Sequence, residues 1–249
     1  MGWGKRRAVV IANAAYSGEA APFFYELSDQ GPDDAMSMAE AFTECEFDTQ
    51  CLTNASDVEM DEALGHLAEV TQEGDVAVIF FGGHGIEHNG DRLLMGIRAN
   101  RPGPSPKAGT AVGELVAGFA PGCLLLLLLD CCRNTYVYKL GDTLRHQCQD
   151  AFFRDLPIPV AADPPRSHCV ISWSTQPGFT VDDGEPGMHS PYVSGLLDAM
   201  EEEGAGLAAV LSQVGEDVQL RTRDSQRPEV EDQNNVLPQL GNALPRFAF

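Results

Sequence analysis

Positive charge is scarce in this chain. Sixteen Lys and Arg stand against 37 Asp and Glu over 249 residues, a formal net charge of −21. A surface so acidic is repelled by nucleic-acid phosphates and anionic lipid, so neither is expected as a partner, and cationic peptides or proteins are favoured. The same acidity serves solubility. Paired cysteines are missing as well: the seven present are an odd number, and no two are spaced Cys-x-x-Cys. A disulfide framework or a structural zinc site of the usual spacing is therefore not expected, and reduced thiols point to the cytoplasm. No apolar run approaches the length of a membrane span; the longest centres on Leu124–Leu129. The basic start, Met1–Arg7, is followed by an apolar stretch too short, and too early broken by Asn13, to be a signal peptide. A myristoylation motif fails at Arg6, where it needs Ser or Thr.

What is present is an alternation of strand-like and helix-like segments without internal repeats. Ala8–Ala12, Phe47–Leu52, Val76–Phe81, Cys123–Leu129 and Cys169–Ser174 read as strands. The most apolar of them read as strands buried in a parallel sheet. Asp33–Glu44 carries Ala35, Met38, Ala39 and Phe42 at helical spacing. Ser56 and Glu59 form a capping-box pattern ahead of a helix running to about Val70, and Pro191–Glu202 reads as a further helix. Such alternation predicts an α/β fold, a mostly parallel sheet covered by helices on both faces. From Tyr138 to Ser167 the texture changes: Lys139, Arg145, Arg154 and Arg166 share the stretch with Pro157, Pro159, Pro164 and Pro165. That segment reads as an exposed linker.

In a parallel sheet the active site lies beyond the carboxyl ends of the strands. Two strands end there in suggestive residues. Val76–Phe81 runs into Gly82-Gly83-His84-Gly85, and Leu124–Leu129 runs into Asp130-Cys131-Cys132-Arg133. If these strands are parallel neighbours, the imidazole and a thiol emerge at one edge, and an imidazole is what a thiol needs to become a nucleophile at neutral pH. The flanking glycines let backbone approach a substrate carbonyl and leave an N–H facing an oxyanion. Strand alternation puts Asp130 and Cys132 on one side and Cys131 on the other, so Cys131 is expected to pack in the core. Cys45, Cys51, Cys123 and Cys169 sit in or beside apolar segments and read as core too. His66, His168 and His189 read as ordinary polar residues. Asp34 and Asp130 also have a structural alternative, as acidic residues at helix starts. A phosphatase loop is excluded because six places after Cys131 and Cys132 stand Val137 and Tyr138 rather than Arg.

A strand ending in Gly-His-Gly, followed about fifty residues later by a strand ending in Asp-x-Cys, resembles the caspase, metacaspase and paracaspase family. Other segments agree in order: Lys5–Ala12 with Asn13 and Tyr16, Asp33-Asp34-Ala35, Ser172-Trp173-Ser174-Thr175-Gln176-Pro177-Gly178, and His189-Ser190-Pro191-Tyr192. The likeness runs from about Lys5 to Phe249. It implies a three-layer α/β sandwich in a single catalytic domain over 1–249, with a large section of about 1–138, a linker at 139–167 and a small section at 168–249. It also implies a Cys-His dyad that needs no third member, metal or other cofactor. Cys132 attacks the scissile carbonyl, His84 carries protons, and the N–H groups of Gly85 and Cys132 stabilise the oxyanion. Ser172, Trp173 and Ser174 are carried over as substrate-binding residues.

The resemblance further implies specificity. Metacaspases and paracaspases accept Arg or Lys before the cut, using acidic residues that match Asp34 and Asp130 here. Two carboxylates would pair with a guanidinium and reject an acidic side chain. A third acidic position of some paracaspases falls near Thr180, with Asp182 or Asp183 as substitutes. Arg145, Arg154 and Arg166 are then candidate self-processing sites, and an upstream protease or a partner chain is an alternative activator. Calcium dependence, common in metacaspases, is not favoured: Ile86–Asp91, where their acidic loop would lie, is sparse in carboxylates. The rival classes are other peptidases of the same clan with different specificity, and a catalytically silent binding module that keeps the fold.

Overall fold

The structure, a computed structural model, describes residues 3–16, 24, 26–27, 30–88, 91–97, 109–133, 167–201 and 205–240. Its strands are β1 (Arg6–Ala12), β2 (Asp48–Thr53), β3 (Val76–Gly83), β4 (Gly85–His88), β5 (Asp91–Leu94), β6 (Thr110–Ala111), β7 (Leu124–Cys131), β8 (His168–Trp173) and β9 (Glu229–Gln233). The helices are α1 (Gln30–Glu44), α2 (Asp57–Val70), α3 (Val112–Ala117), α4 (Pro191–Met200), α5 (Leu207–Arg221) and α6 (Leu237–Leu240). Six strands form the main sheet in the order β2-β1-β3-β7-β8-β9. All neighbours are parallel except β9, which runs antiparallel to β8. The small antiparallel sheet β4-β5-β6 starts directly after His84. The expected α/β architecture is therefore present.

The two-residue period of a strand explains how one run of leucines serves two cores. Leu124, Leu126 and Leu128 join Val10, Val78 and Phe80 against α1, α4 and α5. Leu125, Leu127, Leu129 and Cys131 join Ile11, Ile79 and Phe81 against α2 and α3. Both faces are thus covered by helices, and a leucine-to-alanine change in β7 costs about 2–5 kcal/mol. The same parity holds to the end of the ladder, so that Asp130 shares the α1 and α4 face while Cys131 is sealed into the α2 core.

Boundaries shift modestly from the sequence reading. α1 begins at Gln30 instead of Asp33, because a proline within the first helical turn sacrifices no intrahelical N–H, and Pro32 sits there. The capping box at α2 is as expected: Ser56 Oγ accepts from Glu59 N, and Glu59 reaches back to Ser56 N at 2.8 Å. α4 is capped by Ser190, with Pro191 opening the helix. Apart from Ser167, the linker at 139–167 lies outside the described residues, as do Arg145, Arg154 and Arg166. No helix among the described residues is long and apolar enough to cross a membrane.

Candidate active site

The central pair of strands places the candidate imidazole and thiol. β3 and β7 run parallel in register, and their last pairs are Gly82 with Asp130 and Gly83 with Cys131. One residue further on each strand stand His84 and Cys132. Neighbouring strands lie about 4.8 Å apart, so this register delivers imidazole and thiol to adjacent positions at the sheet's carboxyl edge. Both line one cleft of about 490 Å³.

Backbone geometry at His84 depends on its neighbours. Gly83 has φ +149°, and a Cβ there would stand 2.6 Å from Tyr16 Oη. The glycine lets the Tyr16 hydroxyl reach the chain, where it accepts the His84 N–H at 2.9 Å and donates to Met95 O at 3.0 Å. The Tyr16 and Phe24 rings lie 4.5 and 5.2 Å from the imidazole. Asn13 fixes the same region from below, donating to Ala55 O and Met95 O while accepting Ala55 N. On the far side of His84, a Cβ on Gly85 would meet Cys131 Sγ and Cys132 O, each at 2.7 Å. Only a glycine lets these two loops touch.

The electrostatics of the cleft are acidic. Burial pushes the Asp130 carboxyl up to about 7; the Ser190 hydroxyl, donating at 2.6 Å, pulls it down, and the charge of Asp34 pushes it up again. Among the described residues, Asp130 Oδ1, Ser174 Oγ and Thr175 Oγ1 are buried with no hydrogen bond by distance and angle, although the Ser174 hydroxyl is near enough to lower Asp130. Burial also raises Asp34, while His189 lowers it: the imidazole Nδ1 lies 2.6 Å from Asp34 Oδ1. Ser190 N–H approaches the other Asp34 oxygen at 3.4 Å. Burial raises the Cys132 thiol, the Val181 N–H donating to Sγ at 3.4 Å lowers it, and Asp183 and Asp130 raise it. Asp183 is itself raised by burial.

One loop, residues 174–190, supplies most of these contacts. It is tied to Arg133, the residue after Cys132, by Arg133 N–H donating to Phe179 O at 3.0 Å and Gly178 N–H donating to Arg133 O at 2.6 Å. The Arg133 guanidinium is 3% exposed, sits 4.4 Å from the Trp173 ring and pairs with Glu229. Trp173 Nε1 donates to Glu231, which also binds Arg92 at 2.6 Å. Asp182 N–H donates to Gln226 Oε1, and Gln226 Nε2 donates to Ser174 O. Gln30 donates to Glu185 O.

His84, Asp34, Asp130 and Cys132 are thus brought together, and Thr180, Asp182 and Asp183 line the same cleft. Gly85 abuts the Cys132 segment without lining the cleft. Ser172, Trp173 and Ser174 are buried and do not line it: Ser172 is bonded to Tyr192 Oη, Trp173 lies beneath Arg133, and the Ser174 hydroxyl is near Asp130. Cys51 is exposed rather than in the core, because β2 is an edge strand. The sequence reading missed Ser190 and Gln226 as cleft residues, and His189 as the partner of Asp34. The Ser-Pro pair at 190–191 was a usable signal for a helix cap, but nothing local reveals what the cap's hydroxyl also touches.

A family model for the caspase domain matches residues 5–237. No curated protein matches the sequence. Among solved structures, the chain is similar to the crystal structure of a protein from Geobacter sulfurreducens, at 15% identity and a TM-score of 0.68, covering 92% of this chain and 93% of that one. At that identity the likeness speaks for the fold alone. The family match spans the strand-end histidine, the strand-end cysteine and both sections of the sheet, and on it this chain belongs to the caspase-domain family of peptidases.

Proposed function

We propose that this chain is a cysteine endopeptidase that cuts proteins after arginine, and less readily after lysine, through a dyad of Cys132 and His84. The carrying observation is that the two strand ends open on one cleft together with Asp34 and with Asp130, whose second oxygen is buried and, among the described residues, has only the nearby Ser174 hydroxyl without a well-formed hydrogen bond. An unpaired buried carboxylate oxygen is costly, and a guanidinium that bonds it removes that cost. An acidic substrate side chain would add a like charge and be rejected.

In this reading the substrate's basic side chain enters between Asp34 and Asp130, which holds the next carbonyl near Cys132 Sγ. His84 takes the thiol proton as sulfur attacks, then returns it to the leaving amine. The oxyanion is received by the Gly85 and Cys132 N–H groups, a class of interaction worth about 3–4 kcal/mol per donor. Water hydrolyses the thioester. Neither a metal nor another cofactor enters these steps. Burial raises the Cys132 thiol, which supports activation by cleavage or by a partner. Cleavage at Arg145, Arg154 or Arg166 is the proposed route, and intact-mass comparison of the wild type with Cys132→Ala tests it: a mass loss in the wild type alone is expected.

The specificity test is a fluorogenic peptide series differing only in the residue before the cut, with and without calcium. Turnover is expected with Arg above Lys, none with Asp, no calcium requirement, and none from Cys132→Ala. Equal turnover of Arg and Asp peptides refutes the pocket assignment. The same raised thiol gives the silent binding module its one supporting observation; slow, His84-independent alkylation of Cys132 in processed protein would favour that module.

A further inference from the structure

One residue stands between the two pocket carboxylates and donates to each. Ser190 is 4% exposed and lines the cleft together with Asp34 and Asp130. Its hydroxyl donates to Asp130 Oδ2 at 2.6 Å, and its backbone N–H approaches Asp34 Oδ2 at 3.4 Å. The same hydroxyl oxygen accepts the Val193 N–H at 3.0 Å, as the cap of α4. A hydroxyl has a single proton, and with its oxygen committed to Val193 that proton is aimed at Asp130. The backbone has little freedom either. Pro191 confines the residue before it to extended conformations, and Ser190 has ψ 153°. Both carboxylates therefore lie off the first turn of a ten-residue helix, where negative charge is favoured.

Resting on the specificity reading above, we propose that Ser190 is a positioning residue for arginine selection, whose hydroxyl engages one oxygen of Asp130 and leaves the other for the substrate's guanidinium. The bond does two things. It fixes the rotation of the carboxylate, so that Oδ2 is taken and Oδ1 is the oxygen left for a further donor. It also favours the charged form: the Ser190 hydroxyl lowers Asp130, against the burial and the Asp34 charge that raise it. Without the hydroxyl the carboxylate is free to turn and its ionised form is less favoured. Both changes weaken a charge-assisted bond to arginine. The link to Asp34 is separate, because its donor is a backbone N–H, which every residue except proline supplies. A change of side chain at this position thus acts on one carboxylate and spares the other.

A helix cap alone makes a different prediction. Glycine caps a helix nearly as well as serine, whereas alanine caps poorly. Ser190→Gly therefore removes the hydroxyl and spares α4, Ser190→Ala removes hydroxyl and cap together, and Ser190→Thr keeps both. Each is placed in the full chain carrying Cys132→Ala. A tetrapeptide amide ending in arginine, and its counterpart ending in the uncharged citrulline, are titrated calorimetrically at one pH just above neutrality, and thermal midpoints are recorded alongside. The ratio of arginine to citrulline affinity is expected to fall about tenfold in both Ser190→Gly and Ser190→Ala, the size of one hydrogen bond to a charged group, and to stay within about twofold in Ser190→Thr. The midpoint is expected to drop mainly in Ser190→Ala. A ratio that follows the midpoint, lost in Ser190→Ala and kept in Ser190→Gly, overturns the proposal in favour of a cap. A ratio that rises in Ser190→Gly overturns it too, since Ser190 would then compete for the carboxylate, and so does equal loss in all three variants. Turnover by the chain with Cys132 intact is measured separately. Arginine preference that depends on the hydroxyl, without cleavage, removes the peptidase reading and leaves Ser190 in its role. Cleavage after arginine with a ratio indifferent to position 190 removes the proposal alone, and a parent chain without arginine preference removes the pocket assignment and the proposal with it.

Discussion

The two halves of the candidate site are built on different principles. His84, Asp130 and Cys132 come from the ends of β3 and β7, the two innermost strands, whose side chains are locked between two cores. Val181, Asp183 and His189 come from a single loop held by backbone bonds at Arg133 and by the side chains of Gln226 and Gln30. The strand half is fixed by register and cannot move without unravelling the sheet. The loop half rests on a handful of polar contacts and can be displaced one anchor at a time. The candidate dyad thus sits at the ends of rigid elements, and the Val181 contact to the thiol sits on the segment with fewer anchors.

Substitutions sharpen that contrast. The largest effect is expected at the strand half: Cys132→Ala should lower turnover of an arginine peptide about a thousandfold or more, with an unchanged thermal midpoint, as read by a fluorogenic assay beside thermal unfolding. Retained activity would point to Cys131 or to a contaminant.

Asp130→Asn comes next, with about a hundredfold loss of kcat/KM for arginine peptides and little for a citrulline peptide, since one buried charge-assisted bond is removed. It also has a signature in stability. Burial raises Asp130 to about 7, so the native state keeps a proton that the unfolded chain, with a value near 3.8, has released. Stability therefore falls as pH rises from about 4 to about 7, by up to a few kcal/mol for this group, and Asp130→Asn should flatten that slope. Asp34 shifts in the same direction and leaves a smaller residual slope in the variant. Denaturant midpoints collected across this range decide the matter; identical slopes in both proteins would mean that Asp130 is ionised in the folded state.

The smallest effect is expected at the loop half. Gln226→Ala frees Asp182 N–H and Ser174 O, at about 1–3 kcal/mol, and should loosen the loop enough to speed alkylation of Cys132. Slower alkylation would mean that the loop positions the thiol rather than shielding it.

The strand half was legible because its signals are local. Apolar runs bounded by Gly-His-Gly and Asp-Cys-Cys-Arg mark where strands stop, and a period of two assigns Cys131 and Cys132 to opposite sides. The loop half was not, because each of its contacts spans a long separation that no period encodes. His189 reaches Asp34 across 155 positions, and Gln226 meets Asp182 across 44. β9 was hidden for another reason: Glu229–Gln233 is rich in charge and reads as a loop, yet its carboxylates are what Arg92, Arg133 and Trp173 require. Trp173 is buried beneath Arg133, and Ser172, on the opposite face of the same strand, is buried against Tyr192.

The indole of Trp173, stacked 4.4 Å from Arg133 and 5.4 Å from Arg92 and bonded to Glu231, is one of only two in the chain. The other, Trp3, packs against the opposite core. Emission from an indole responds to cations and carboxylates at such range, so Arg133, the neighbour of Cys132, carries its own optical reporter. Any ligand that lifts Arg133 off the ring should be visible as a spectral change, without a label and without a substrate.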